Sequence, residues 1–109
     1  MSANLILLFE HIQKKHIAYE TLLIYQPDAL FTNGIQDILK EFVTDGIYFA
    51  QTRPYLINVN EQLIIAYVAG AYLESVRWWI TTNYETSPIH MANTLIELSI
   101  NGPYIKRLP

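Results

Sequence analysis

The amino-acid sequence predicts an all-α domain of five helices. Apolar side chains recur at helical spacing, i, i+3, i+4 and i+7, along most of the chain. Proline, glycine and helix-cap signals separate these patterns at intervals that suit helices. No alternating stretch is bounded like a β-hairpin. Together these observations favour a helical bundle.

Two helices are predicted before Pro27. The first runs from about Asn4 to His16, and its apolar stripe consists of Leu5, Leu8, Phe9 and Ile12. A second, short apolar segment runs from Ile17 to Tyr25. It ends there because the residue before a proline is disfavoured in the helical region.

A third helix is predicted between Pro27 and Pro54. Its apolar face consists of Phe31, Ile35, Ile38, Leu39, Phe42 and Val43. Asn33-Gly34 is a turn signal inside this pattern, so the sequence leaves the start of the helix open.

The last two helices have the clearest boundaries. Asn58 followed by Glu61 resembles a capping box, which opens a helix that runs to about Thr82. Ser87-Pro88 supplies an N-cap and a favoured first-turn proline. Asn101-Gly102-Pro103 then ends the fifth helix.

The hydrophobic pattern of these two helices predicts association with a second chain. Residues 63–73 are apolar on every face, and the final helix is apolar on two sides. We therefore expect a homodimer, although a central helix of a monomer would also be covered on all sides. Small side chains would let the helices approach closely. The candidate interface residues are Ala66, Ala69, Gly70, Leu73, Met91, Leu95 and Leu98.

Composition excludes several classes of protein. The 109 residues suit a single domain, and 51% are hydrophobic against 16% charged, which excludes intrinsic disorder. A net charge of −3 with seven Lys and Arg offers no basic face for DNA. The longest apolar run, residues 63–73, is too short to span a bilayer. We expect a soluble, cytoplasmic protein without membrane contact.

Several motifs resemble one known family. They are Ala69-Gly70-Ala71, Arg77-Trp78-Trp79, Ser87-Pro88 and Met91-Ala92 in residues 69–98, together with the segment from Leu7 to Leu23. This ordered set is similar to the C-terminal domain of TetR-family transcriptional regulators. The subgroup it most resembles regulates dihydroxyacetone kinase operons. The resemblance covers about residues 5–101.

The resemblance implies both a fold and a function. It implies an all-helical ligand-binding and dimerisation domain over residues 1–109, in which the last two helices of each chain form a four-helix interface. Family members begin with a helix-turn-helix domain, which this sequence lacks. The chain is therefore expected to dimerise and to sense an unknown small-molecule effector. DNA would be bound only through the missing N-terminal domain.

Aromatic side chains are the candidates for the effector site. The sequence has eight Tyr, four Phe and two Trp, and Tyr combines an apolar body with a polar tip. The resemblance implies a cavity between the middle and the penultimate helix. The candidate ligand-binding residues are Tyr19, Tyr25, Phe42, Phe49, Tyr67 and Trp78. Alternatively these rings fill the core, and the chain is a dimerisation or protein-interaction module without a ligand pocket.

The sequence offers no catalytic, metal or cofactor site. His11 and His16 are five residues apart, and His90 stands alone, so the histidines do not have metal-ligand spacing. No serine lies in a nucleophile elbow, and no Gly-rich phosphate loop is present. We expect no enzyme activity. Arg77 could hold an acidic effector or pair with Glu74 on the helix surface.

Overall fold

The computed structural model describes residues 2–51 and 59–103, and within them it has five α-helices and no strand. The helices are α1 (Ser2–Lys14), α2 (His16–Glu20), α3 (Ala29–Gln51), α4 (Glu61–Thr81) and α5 (Pro88–Asn101). A π-helical turn, Thr21–Tyr25, continues α2. The predicted all-α fold is confirmed for these residues. None of these helices combines the length and apolar character needed to cross a membrane.

Side-chain caps explain where three of the helices begin. The Ser87 hydroxyl accepts a hydrogen bond from the His90 amide at 3.2 Å, as predicted. The cap of α4 is Asn60, whose side chain accepts from the Leu63 amide; the predicted cap, Asn58, lies outside the described residues. In α3, Asp28 accepts from the amide of Phe31 at 2.8 Å. The helix then runs through Asn33-Gly34, so that turn signal is not used.

The helices pack in two main pairs, α1 against α5 and α3 against α4. The core between them is almost entirely aliphatic and aromatic. Its fully buried members include Leu5, Phe9 and Ile12 of α1, Leu39 of α3, Ala69, Val76 and Trp79 of α4, and Ala92 of α5. Burial of this apolar surface is the main force that stabilises the bundle.

Trp79 joins three parts of the bundle. Its side chain is 0% exposed, and its ring meets Phe9 of α1 edge-on, with centroids 5.0 Å apart. Its indole N–H donates to the carbonyl of Thr86 at 2.6 Å. The same ring packs against Tyr84 at 4.9 Å. Trp79 therefore positions both α1 and the turn that leads from α4 into α5.

The α4–α5 turn is also tied to α2. Asn83 and Tyr84 both have positive φ, near 58° and 59°, which non-glycine residues adopt at a cost. The Tyr84 hydroxyl donates to the Glu20 carboxylate at 3.1 Å. Burial and this hydrogen bond raise the pKa of Tyr84 well above its ordinary value. The hydrogen bond and the packing on Trp79 hold the strained turn.

The first prediction concerns Trp79. We expect Trp79→Ala to lower the free energy of unfolding by about 3–5 kcal/mol, because it removes a fully buried ring and leaves a cavity. Urea denaturation followed by circular dichroism measures this change. Leu30→Ala is the control, since Leu30 is 85% exposed and should change stability by no more than about 0.5 kcal/mol. Equal effects of the two substitutions would contradict the role assigned to Trp79.

A second prediction concerns the pH dependence of Tyr84. Because its pKa is raised in the folded chain, the folded state holds its proton longer than the unfolded state does. The stabilisation is therefore complete below pH 10 and is lost as pH rises above the unfolded value of about 10. We expect the stability difference between wild type and Tyr84→Phe to shrink between pH 9 and pH 11. Denaturation at each pH measures it, and a constant or growing difference would refute the assignment.

Candidate functional site

The most prominent exposed apolar feature is a row of residues along α4, here called the outer stripe. It consists of Leu63, Tyr67, Gly70, Glu74 and Trp78, which are three or four residues apart and so share one helix face. Leu63, Tyr67 and Trp78 are 59%, 76% and 58% exposed. Large apolar side chains aligned on one exposed face are typical of an interaction surface.

The residues predicted for the dimer interface divide into two groups. Ala69, Leu73, Met91 and Leu95 are buried in the core of their own chain. They can add almost no area to an interface between rigid chains, because their surface is already covered. Ala66 and Leu98 are exposed, and Gly70 is partly exposed. Only these three are available at the surface of the single chain.

Gly70 lies at the centre of the outer stripe and leaves the helix backbone uncovered there, because it has no side chain. A Cβ built on Gly70 would meet no atom within 4 Å in the described structure, so the glycine is not required by packing inside the chain. Its neighbours Ala66 and Ala71 are exposed and small. A second helix could therefore approach the backbone of α4 closely at this point.

Glu74, the charged member of the outer stripe, pairs with Arg77 of the same helix. An Arg77 guanidinium nitrogen, Nη1, lies 2.8 Å from Glu74 Oε1. This confirms the surface pair that was one of the two predicted roles of Arg77. The pairing leaves the stripe close to electrically neutral.

Tyr72 fixes the position of α5 beside α4. Its hydroxyl donates to the carbonyl of Leu95 at 3.2 Å and lies 2.9 Å from the Ser99 hydroxyl. Burial raises the pKa of Tyr72, which the Ser99 hydrogen bond partly offsets. This contact lies at the last turn of α5. Leu98 and Ile100, both exposed, lie in that turn.

The six aromatic residues predicted to bind ligand occupy different environments. Tyr19 is buried, packs on Phe31, and its hydroxyl lies 2.7 Å from His11 Nδ1. Burial raises the pKa of Tyr19. Phe42 is half-buried and contacts Tyr72, with ring centroids 6.2 Å apart. Tyr25, Phe49, Tyr67 and Trp78 are exposed. Thus Tyr19 and Phe42 face the interior, whereas Tyr67 and Trp78 face outward.

One polar atom on the inward side of α3 has no partner. Gln36 Oε1 is buried and accepts no hydrogen bond in the described structure. Gln36 is partly buried, and it lies next to the buried Ile35 and three residues before the buried Leu39. A buried acceptor without a donor is costly, and such atoms often mark the place of a water or a ligand group.

A depression of about 220 Å³ lies between α1 and α3. Leu5 and Leu8 of α1 line it together with Ile38 and Phe42 of α3, and Glu41 and Asp45 are also among its lining residues. A second, open depression of about 440 Å³ lies where α1 ends beside the start of α5. Glu10, Lys14 and Ser87 line it together with Pro88 and Ile89. Among the described side chains, no three His, Asp or Glu groups are arranged to hold a metal.

Sequence reasoning missed Trp79 and Gln36. A signal for Trp79 was present, because Ile65, Ala69, Tyr72, Val76 and Trp79 recur at helical spacing and are all buried. Trp78, which was selected instead, lies 100° away around the helix. Nothing in the sequence could mark Gln36, since its distinguishing property is a missing hydrogen-bond partner.

The described part of the chain is thus an all-α domain with an exposed apolar row on α4. The model of one family, the TetR-type transcriptional regulator C-terminal region, matches residues 1–101. The chain therefore belongs to this family of regulatory domains, which is not a family of enzymes. No curated protein and no solved structure matches the chain.

Proposed function

We propose that this chain is the regulatory domain of a TetR-type transcriptional repressor of the dihydroxyacetone-kinase-regulator-like subgroup. It forms a homodimer through the outer stripe of α4 and senses a small-molecule effector in the cytoplasm. The proposal assigns DNA contact to the helix-turn-helix domain of such a regulator. The observation that carries it is the outer stripe, an exposed apolar row on a domain of a regulatory family.

The chemistry of the outer stripe suits contact with a second copy. A two-fold contact brings the same surface of both chains together, so each chain contributes the same aromatic rings to the interface. Tyr67 and Trp78 offer large rings of the kind enriched at interface centres, and Gly70 between them allows close approach. Leu98 and Ile100 of α5 extend the apolar surface. Four helices, α4 and α5 of each chain, would then form the interface.

A third prediction tests the dimer through Gly70. We expect Gly70→Leu to weaken dimerisation at least about tenfold, because a leucine overpacks a close helix contact. The chain itself should remain folded, since space around Gly70 is open within the chain. Analytical ultracentrifugation over a range of concentrations measures the dissociation constant.

Gly34→Leu is the matched control for this experiment. Gly34 lies on α3, and a Cβ there also meets nothing within 4 Å, so both variants replace an open helical glycine with leucine. The control should dimerise as wild type does. A wild-type chain that is monomeric at 100 μM, or a Gly70→Leu variant that dimerises unchanged, would overturn the proposed interface.

Effector sensing is supported by the unpartnered oxygen of Gln36. An effector with a hydrogen-bond donor would satisfy Gln36 Oε1 on α3, the helix that packs against α4. Such binding would shift the population between arrangements of α3 and α4. Because α4 carries the outer stripe, the shift would change how the two chains are spaced.

A fourth prediction concerns Gln36. Among a panel of metabolites tested by thermal shift, we expect a compound that raises the melting temperature of wild type but not that of Gln36→Leu. The variant without ligand should be at least as stable as wild type, because it removes a buried acceptor that lacks a partner. Gln13→Leu, at an exposed position of α1, is the control and should keep the response.

The second candidate function is an interaction module without a ligand pocket. Its support is the packed interior, in which Phe9, Trp79 and Tyr84 contact one another edge to face. A stable dimer that responds to no compound of the panel would favour this module. A response that Gln36→Leu abolishes would favour the sensor.

A further inference from the structure

We propose that the depression between α1 and α3 is a docking groove for a basic amphipathic helix of a partner protein. It is here called the acidic groove, and Leu8, Ile38, Phe42, Glu41 and Asp45 are the lining residues that carry the argument. The proposal goes beyond the dimer and effector functions, because the acidic groove lies on α1 and α3 and the outer stripe lies on α4.

The floor of the acidic groove is apolar. Leu5 and Leu39 are fully buried beneath it, Leu8 and Phe42 are half-buried, and Ile38 is 50% exposed. The core therefore holds the apolar side chains of the floor in place, and Ile38 is the most exposed of them. A preformed apolar groove of this kind suits side chains of an incoming helix.

One rim of the acidic groove carries carboxylates at one-turn spacing. Glu41 and Asp45 line the groove, and Asp37 continues their row one turn before Glu41. All three are exposed on one face of α3, four residues apart. The row extends over about 12 Å, at 1.5 Å per residue. None of the three makes an ion pair or hydrogen bond with a described side chain. Like charges at this spacing repel one another, and a cationic partner would remove that repulsion.

No Lys or Arg among the described residues forms an ion pair with the rim of the acidic groove. Lys40 is the one Lys or Arg of α3, and it forms no ion pair with its acidic neighbours in the described structure. Lys14 of α1 lines the other depression, at the opposite end of that helix. Within the described residues the rim therefore keeps its negative charge, and a cationic partner would complement it.

The dimensions favour a helix over a small organic cation. The volume of about 220 Å³ is below the roughly 300–1,000 Å³ of typical small-molecule pockets, but one or two apolar side chains can fill it. The row of three carboxylates extends over two helical turns, which a single small cation cannot cover. A helix with Leu on one face and Arg beside it at one-turn spacing matches both features.

Labelled peptides test the proposal directly. The probe is a fluorescein-labelled 14-residue helix with Leu at i, i+3, i+4 and i+7 and Arg at one-turn spacing beside them. Fluorescence anisotropy measures its binding to the full chain. We expect the double variant Glu41→Gln/Asp45→Asn to weaken binding at least about tenfold, because it removes two charge-assisted contacts. Ile38→Ala should weaken binding severalfold through the lost apolar contact.

Matched controls separate docking from general attraction between opposite charges. Glu10→Gln/Glu85→Gln removes two exposed carboxylates elsewhere and should leave binding within about twofold of wild type. A peptide with Glu in place of Arg should not bind. Equal weakening by the two double variants, binding of the Glu peptide, or no binding of the Arg peptide at 1 mM would each overturn the proposal.

A small cation is the remaining alternative occupant. Benzyltrimethylammonium that displaces the Arg peptide with equal or better affinity would assign the groove to small cations and overturn the helix proposal. Displacement only at concentrations at least about tenfold higher supports it. The Gly70→Leu variant, which is altered only in the outer stripe, should bind the peptide as wild type does, so this test is independent of the dimer.

Discussion

Burial of the Trp79 side chain is the interaction on which the rest of the structure depends. Its ring contacts Phe9 of α1 and Tyr84 of the α4–α5 turn, and its N–H is satisfied by the carbonyl of Thr86. One side chain thus sets the distance between α1 and α4 and the direction in which the chain enters α5. The left-handed conformation of Tyr84 is maintained by the same contact and by Glu20 of α2. The turn is consequently part of the core.

The burial of Trp79 in the core determines which face of α4 remains exposed. The inner positions Ile65, Ala69, Tyr72, Val76 and Trp79 are buried, so the residues opposite them on the helix are left in solvent. That opposite face is the outer stripe. Its exposed rings do not result from loose packing of α4, because the inner face of the same helix is fully buried in the core. The large apolar side chains of α4 that the core does not bury therefore lie in one row.

Local signals predicted the helices, whereas long-range contacts could not be predicted. The Ser87 cap and the Arg77–Glu74 pair depend on residues three positions apart, so spacing alone identified both. Trp78 was selected in place of Trp79, because residues 63–73 are apolar on every face and obscure the buried row that leads to Trp79. The Tyr84–Glu20 bond joins residues 64 positions apart. The groove between α1 and α3 likewise depends on packing between helices that sequence spacing does not encode.

The two candidate surfaces differ in charge, and this difference is the reason for proposing different partners for them. In a two-fold contact each surface meets its own copy, so unpaired charges of one sign would face one another. The outer stripe avoids this repulsion, because Glu74 and Arg77 neutralise each other within the chain. The acidic groove does not, since Asp37, Glu41 and Asp45 have no cationic partner in the described structure and two copies would repel. The charges are therefore consistent with the proposed self-association through α4 and with the proposed docking of a cationic partner on α1 and α3.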